Sequence, residues 1–195
     1  MRTLTYYVGT TLDGYIAAPD GAVDAFPVDQ PVLDFITAES PETLPTHGRE
    51  QLGVTASGTR FDTVVMGRST YAPALDAGIT SPYAHLRQYV VSTTLAPGDD
   101  PEVVADDPLG LVRRLKQQPG SGIWLAGGGR LAGALLPEID ELVVKLYPVV
   151  LGRGIPVIAA ERPLPSSFTL VESRTLEGGT TVLTYRRSHG QPVPG

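Results

Sequence analysis

Three short segments carry the residue types that can grip a phosphate. IWLAGGGRLAGALL, residues 123–136, sets Gly127, Gly128 and Gly129 between an apolar strand-like run and an apolar helical run. Backbone without a Cβ can approach a pyrophosphate closely, and the start of a helix presents free N–H groups and partial positive charge. The segment also fits G-x-G-x-x-G/A at Gly127, Gly129 and Ala132. That fingerprint normally opens its domain and places an acidic residue about 20 positions on, after a second strand. Here the glycines come late in the chain, and Asp140 and Glu141 arrive too early. The turn therefore points to a nucleotide held in a different α/β architecture. The second segment, DTVVMGRSTY (62–71), runs a strand into Gly67-Arg68-Ser69-Thr70. Gly67 allows a tight exit, Arg68 can pair with a phosphate, and Ser69 and Thr70 can cap the following helix. The third is Ser92-Thr93-Thr94, again at a strand end. Ligands of parallel sheets sit beyond the carboxyl ends of the strands, so the three segments can converge on one ligand.

Composition removes several other chemistries. The net charge is −6, which argues against charge-driven binding to nucleic acid or an anionic membrane. There is no cysteine, hence no disulfide frame, thiolate nucleophile or cysteine-held metal. His47, His85 and His189 are far apart and form no metal-binding pair, so no metal site is expected. A hydrolase is poorly supported, because no G-x-S-x-G elbow occurs. The N-terminal residues lack a signal peptide's apolar core and no run is long enough to cross a membrane, so a cytoplasmic location is the expectation.

The elements that would position these segments follow from periodicity. Strands are expected at Leu4–Gly9, Asp62–Met66, Gln88–Ser92, Ile123–Ala126 and Glu141–Val150. Helices are expected near Val32–Ala38, His47–Gly53, Ser69–Leu75, Asp106–Gln118 and Arg130–Leu136. Phe168–Leu176 and Thr180–Arg187 flank Glu177-Gly178-Gly179, a hairpin pattern. Residues 18–60 hold five prolines and form an irregular insert of the kind that often borders a substrate. Residues 1–187 read as one domain and 188–195 as a disordered tail. Strand–helix alternation ending in a hairpin gives an α/β fold with a mixed, mostly parallel sheet and antiparallel strands at its C-terminal end.

TLDGYIA (11–17), VVMGRSTY (64–71), YVVSTTL (89–95), IWLAGGGRLAGALL (123–136) and IDELVVKLYPVVLGRGIPVI (139–158) occur in an order that resembles the dihydrofolate reductase superfamily. The chain is most similar to the branch represented by the C-terminal reductase domain of bifunctional riboflavin-biosynthesis deaminase/reductases. The resemblance implies a three-layer fold with about eight strands, NADPH as hydride donor, and a homodimer. It implies that Gly67, Arg68, Ser69 and Thr70 hold phosphates, with Arg68 near the ribose 2′-phosphate, and that Ser92 assists at the adenosine end. Gly127, Gly128, Gly129, Arg130 and Leu131 would wrap the pyrophosphate, and Val8 and Ala17 would offer backbone to the nicotinamide amide. The substrate would be a pteridine or an aminopyrimidine. Dihydrofolate reductases also place a buried acid on the helix after the first strand. Asp34 is the nearest candidate here, with Leu33, Phe35 and Ile36 to make its surroundings apolar. Asp13, in the Leu-Asp-Gly turn, is a second candidate, as a substrate or loop-ordering contact; Glu39 and Glu42 read as surface charges. Lys145 interrupts an apolar strand, either pointing into the site or snorkelling from an edge. The competing readings are a non-catalytic NADPH-binding regulatory module and a flavoprotein holding FMN in the same turn.

Overall fold

The apolar, β-branched runs become the strands of a continuous sheet, and the amphipathic runs between them become its cover. The structure, a computed structural model, describes residues 1–55 and 59–188. In chain order the elements are β1 (Leu4–Thr10), β2 (Tyr15–Ala17), α1 (Gln30–Glu39), α2 (Thr46–Gln51), β3 (Phe61–Gly67), α3 (Arg68–Asp76), β4 (Arg87–Val91) and β5 (Glu102–Val104). They continue with α4 (Pro108–Gln117), β6 (Gly122–Gly127), α5 (Gly129–Leu135), β7 (Glu141–Leu146), β8 (Ile155–Pro156), β9 (Phe168–Thr175) and β10 (Thr181–Arg187). Eight strands form one sheet in the order β5-β4-β3-β6-β1-β7-β10-β9. The pairings from β5 to β7 are parallel; β10 is antiparallel to β7 and to β9.

Strand alternation sorts the core into two layers. Leu4, Tyr6, Val8, Val65, Ile123 and Leu125 face α4 and α5, where Leu111, Val112, Leu115, Ala132 and Leu135 are buried. Tyr7, Phe61, Val64, Met66, Trp124 and Val143 face the other way, toward Tyr71 of α3 and Phe35 of α1. The three-layer α/β fold and mostly parallel sheet expected from the sequence are therefore present. No helix among the described residues is long and apolar enough to cross a membrane.

Some boundaries differ from expectation. The strand expected over 141–150 ends at Leu146, because Pro148 has no N–H to give the ladder. β2 and β8, which form a separate two-stranded sheet, and β5 are too short for a periodic pattern. The helix expected from Ser69 begins at Arg68 with Gly67 as N-cap, so Ser69 and Thr70 lie inside the first turn and cap nothing. Of the expected disordered tail, residues 189–195 lie outside the described residues, as does His189.

Candidate cofactor cleft

The cleft forms where the central strands separate. β1 pairs with β6 only from Leu4↔Ile123 to Tyr6↔Leu125, whereas its ladder with β7 continues to Thr10↔Leu146. A fork therefore opens between β1 and β6 at their carboxyl ends, with Val8 on one side and the glycine turn on the other. Beside it, β3 and β6 deliver the chain into α3 and α5 through Gly67 and Gly128. The two ends are adjacent: a Cβ on Gly67 would lie 3.5 Å from both the Gly127 carbonyl oxygen and the Gly128 nitrogen. Thr70 closes the group, with its Oγ1 lying 3.7 Å from where a Cβ would stand on Gly127 or on Gly128.

The three glycines of the turn are glycine for different reasons. Gly127 has φ +119°, a conformation that side chains other than glycine's resist, and its peptide to Gly128 is cis. Gly129 is sterically fixed, because a Cβ would run into the Pro156 carbonyl oxygen. Gly133, one turn on, is blocked in the same way by Ala159, so α5 is pressed against a strap formed by residues 154–160. Gly128 meets neither condition: its φ is −92° and the nearest atoms to a Cβ, on Ile16 and Thr70, would be 3.7 Å away. Gly67, with φ −83°, is equally free of internal constraint. Two neighbouring positions thus lack a side chain that the fold itself would accept.

The helix caps separate in the same way. Asp29 caps α1 by accepting from the Val32 N–H, and Asp107 caps α4 by accepting from the Gly110 N–H. α2, α3 and α5 have no side-chain cap; at α3 and α5, which adjoin at Gly67 and Gly128, this leaves first-turn N–H groups for another acceptor. Arg68 and Arg130 are exposed and make no hydrogen bond or ion pair with any described residue. By contrast Arg2 and Arg60, at the far end of the sheet, are paired with Asp62 and Glu141. Gly67, Arg68, Ser69, Thr70, Gly127, Gly128, Gly129, Arg130 and Leu131 are thus brought together at one edge.

Other expected residues fall elsewhere or are already engaged. The Ser92 hydroxyl is buried and accepts from the Thr94 and Leu95 N–H groups at 3.2 and 3.1 Å, holding the turn after β4. Ala17 pairs with Ile155, and its carbonyl oxygen lies against Gly154, where a Cβ would run into it. Asp13 is a loop clasp: its carboxylate accepts from the Thr11 hydroxyl at 2.6 Å and from the Leu151 and Gly152 N–H groups at 3.2 and 2.6 Å. The Thr11 bond foremost, with the Gly152 amide, holds this carboxyl below the usual range. Asp34 is not a buried acid. It is on the exposed side of α1, accepts from Gln30 at 2.7 Å, and borders a groove of about 420 Å³ with Phe35, Glu39, Arg174 and Leu176. That groove shares no residue with the glycine cleft.

The most buried acid among the described residues is Glu42, 1% exposed rather than at the surface. One oxygen accepts from the Phe61 N–H at 2.8 Å; the other finds no hydrogen-bond partner among the described residues, and neither does the buried hydroxyl of Ser40. Its neighbours Pro41 and Thr43 are buried with it, a tertiary effect that local composition does not reveal. Because Phe61 opens β3, Glu42 stands at the end of the sheet away from the cleft. Tyr71 and Trp124 are core residues as expected. Lys145 is also buried, on the face of Tyr7 and Val143.

The relatives agree with this architecture. The uncharacterized protein YwjB of Bacillus subtilis (strain 168) is 32% identical over 160 residues, which cover 80% of this chain and 82% of YwjB. YyaP of the same organism, also uncharacterized, is 25% identical in an alignment that covers 94% of each chain. Among solved structures, a candidate riboflavin biosynthesis protein from Shewanella sp. PV-4 superposes with a TM-score of 0.68 at 24% identity, covering 97% of this chain and all of that one. The diaminohydroxyphosphoribosylaminopyrimidine deaminase/5-amino-6-(5-phosphoribosylamino)uracil reductase of Thermotoga maritima gives a TM-score of 0.63 at 14% identity, covering 96% of this chain and 57% of that one. Both share the fold. The sequence model described as the RibD C-terminal domain matches residues 2–182, so the chain belongs to the RibD C-terminal domain family.

Proposed function

We propose that the protein is an NADPH-dependent reductase acting on an aminopyrimidine- or pteridine-like small molecule. The observation that carries this reading is the pair of side-chain-free helix starts at Gly67 and Gly128, where φ is negative and a Cβ would meet no atom beyond its chain neighbours closer than 3.5 Å. A ligand that needs close backbone approach accounts for both. Family membership and the reductase-like fold support the same reading.

The residues fit a phosphorylated dinucleotide. N–H groups at the start of α3 and α5 would hold the phosphates, with Thr70 between them. Arg68 and Arg130 would supply the positive charge that a chain of net charge −6 otherwise lacks, so binding depends on local donors rather than on a long-range field. With the Ser92 hydroxyl committed to its own turn, contact at the adenosine end falls to the exposed Thr93. The fork beside Val8 would take the nicotinamide, leaving backbone groups of β1 to orient its amide. When bound, the cofactor supplies hydride; the chain contributes alignment, which can be worth about 7–11 kcal/mol, and exclusion of water.

The 2′-phosphate assignment gives a direct expectation. Arg68→Ala raises KM for NADPH by about tenfold or more and leaves KM for NADH nearly unchanged, since one charge-assisted contact is worth about 1.5–3 kcal/mol. Equal effects on the two cofactors would remove Arg68 from that role. The rival reading, a module that binds NADPH without catalysis, predicts saturable binding with no oxidation across pyrimidine and pteridine substrates.

A further inference from the structure

The chain has two lysines, and the fold buries both. Lys116 is met by acceptors, donating to the Glu138 carbonyl oxygen at 2.7 Å and pairing with Asp140 at 2.8 Å. Lys145 makes no hydrogen bond or ion pair with any described residue; its Nζ rests 3.7 Å from the centroid of the Tyr7 ring. A buried ammonium without a hydrogen-bonded partner is costly, and such groups concentrate where chemistry needs them.

Its place in the sheet gives the cost a purpose. Lys145 is next to last in β7 and pairs in register with Gly9, the residue after Val8. It therefore stands one strand across from the backbone that borders the fork, at the same end of the sheet. The 154–160 strap packs on the α5 side, where the Tyr6 hydroxyl donates to the Val157 carbonyl oxygen at 2.8 Å, so the face left for a substrate is the opposite one, which carries Lys145. Gly9 gives β1 no side chain beside the amine, and the Tyr147 ring fills the space: a Cβ there would stand 2.9 Å from that ring. The other ionisable groups facing this side are Tyr7 of β1, Glu141 of β7, Tyr147 just beyond β7, Glu172 and Arg174 of β9 and Arg186 of β10, with Arg60 and Glu42 close to Tyr7. Glu141 is four residues away, about 13 Å along the strand, and is already held by Arg60 and Arg186.

Building on the reductase reading, we propose that Lys145 is the proton donor, protonating the nitrogen of a substrate C=N bond whose carbon receives hydride from the reduced nicotinamide. The hydride's electron pair forms the new C–H bond. The C=N π pair takes the proton as the Nζ–H bond breaks, and the neutral amine regains a proton from water. Burial lowers this amine to about 7, which suits a donor at neutral pH.

The test uses protein labelled with [ε-13C]lysine, which gives two side-chain signals; Lys145→Met assigns them. Forming the complex with NADP+ and 5-amino-6-(5-phosphoribosylamino)uracil is expected to shift the titration midpoint of the Lys145 signal and leave that of Lys116 in place. Lys145→Met is expected to lower kcat by about 100-fold or more with the NADPH Kd within about twofold of wild type. Lys145→Arg, which keeps the charge but cannot release its proton, is expected to be as slow. An unmoved Lys145 signal, Lys145→Met turnover within about threefold of wild type, or full activity in Lys145→Arg overturns the assignment. Wild-type protein that fails to bind NADPH overturns the reductase reading with it, whereas bound and oxidised NADPH with an indifferent Lys145→Met overturns this inference alone.

Discussion

Gly128→Ala is expected to weaken NADPH binding by about ten- to a hundredfold while leaving the fold unchanged. A methyl at this position meets only Ile16 and Thr70 at ordinary contact distance, and φ is on the negative side. The protein without ligand has no reason to resist it. A dinucleotide seated against the bare backbone would have to move out by roughly the radius of that methyl, losing hydrogen bonds from the α3 and α5 N–H groups together. Gly129→Ala should behave in the opposite way. Its Cβ meets the Pro156 carbonyl, so the strap must shift, and overpacking of this kind costs about 1–3 kcal/mol. For a chain of this size that lowers Tm by roughly 2–12 °C. Thermal melts and fluorescence titration on the two variants separate the roles. A Gly128→Ala protein that binds NADPH like wild type would show that glycine there is incidental.

Lys145→Met is expected to make the protein more stable near pH 6, by about 1–4 kcal/mol, and to lose that advantage near pH 10. Desolvation takes the amine from 10.5 to about 7. Below that value the folded chain must keep a cation away from water, while the unfolded chain carries it freely. Between about 7 and 10.5 the unfolded state holds a proton that the folded state does not, so wild-type stability rises with pH across this window. Methionine has a similar length, is apolar and removes the dependence. Denaturant melts at the two pH values measure the gap; a gap that stays constant, or a variant destabilised at both, would mean that the amine is solvated. A stabilising change that also slows turnover is the behaviour expected of a group kept for chemistry.

What could be read in the sequence was what local chemistry dictates. Val-rich runs gave the parallel strands, the Asp-Pro start of the 106–118 segment the helix α4, and Glu177-Gly178-Gly179 the hairpin. The converging strand ends at Gly67 and Gly127–Gly129 were legible because glycine and serine types mark tight exits. Spacing could not separate the glycines that packing requires from those it does not; that needed Pro156 and Ala159, some 27 residues further on, to be placed against α5. Ser92 and Asp13 look like ligand contacts in one dimension. In three, the Ser92 oxygen accepts from the Leu95 N–H and the Asp13 carboxylate from the Gly152 N–H. Glu42 was hidden for the converse reason: a polar stretch between prolines reads as surface, and only the approach of Phe61 supplies the amide that lets it be buried. Lys145 stood out as an interruption of an apolar strand, but that its amine meets only the Tyr7 ring, with no hydrogen bond or ion pair among the described residues, is a property of the whole sheet face.

The most direct test of the cleft is calorimetric titration of the purified protein with NADPH and then with NADH. The account predicts one NADPH per chain, a Kd in the micromolar range or tighter, and at least about tenfold weaker NADH binding that disappears as a difference in Arg68→Ala. No saturable heat up to about millimolar NADPH, or equal affinity for the two cofactors in the wild-type protein, would contradict it.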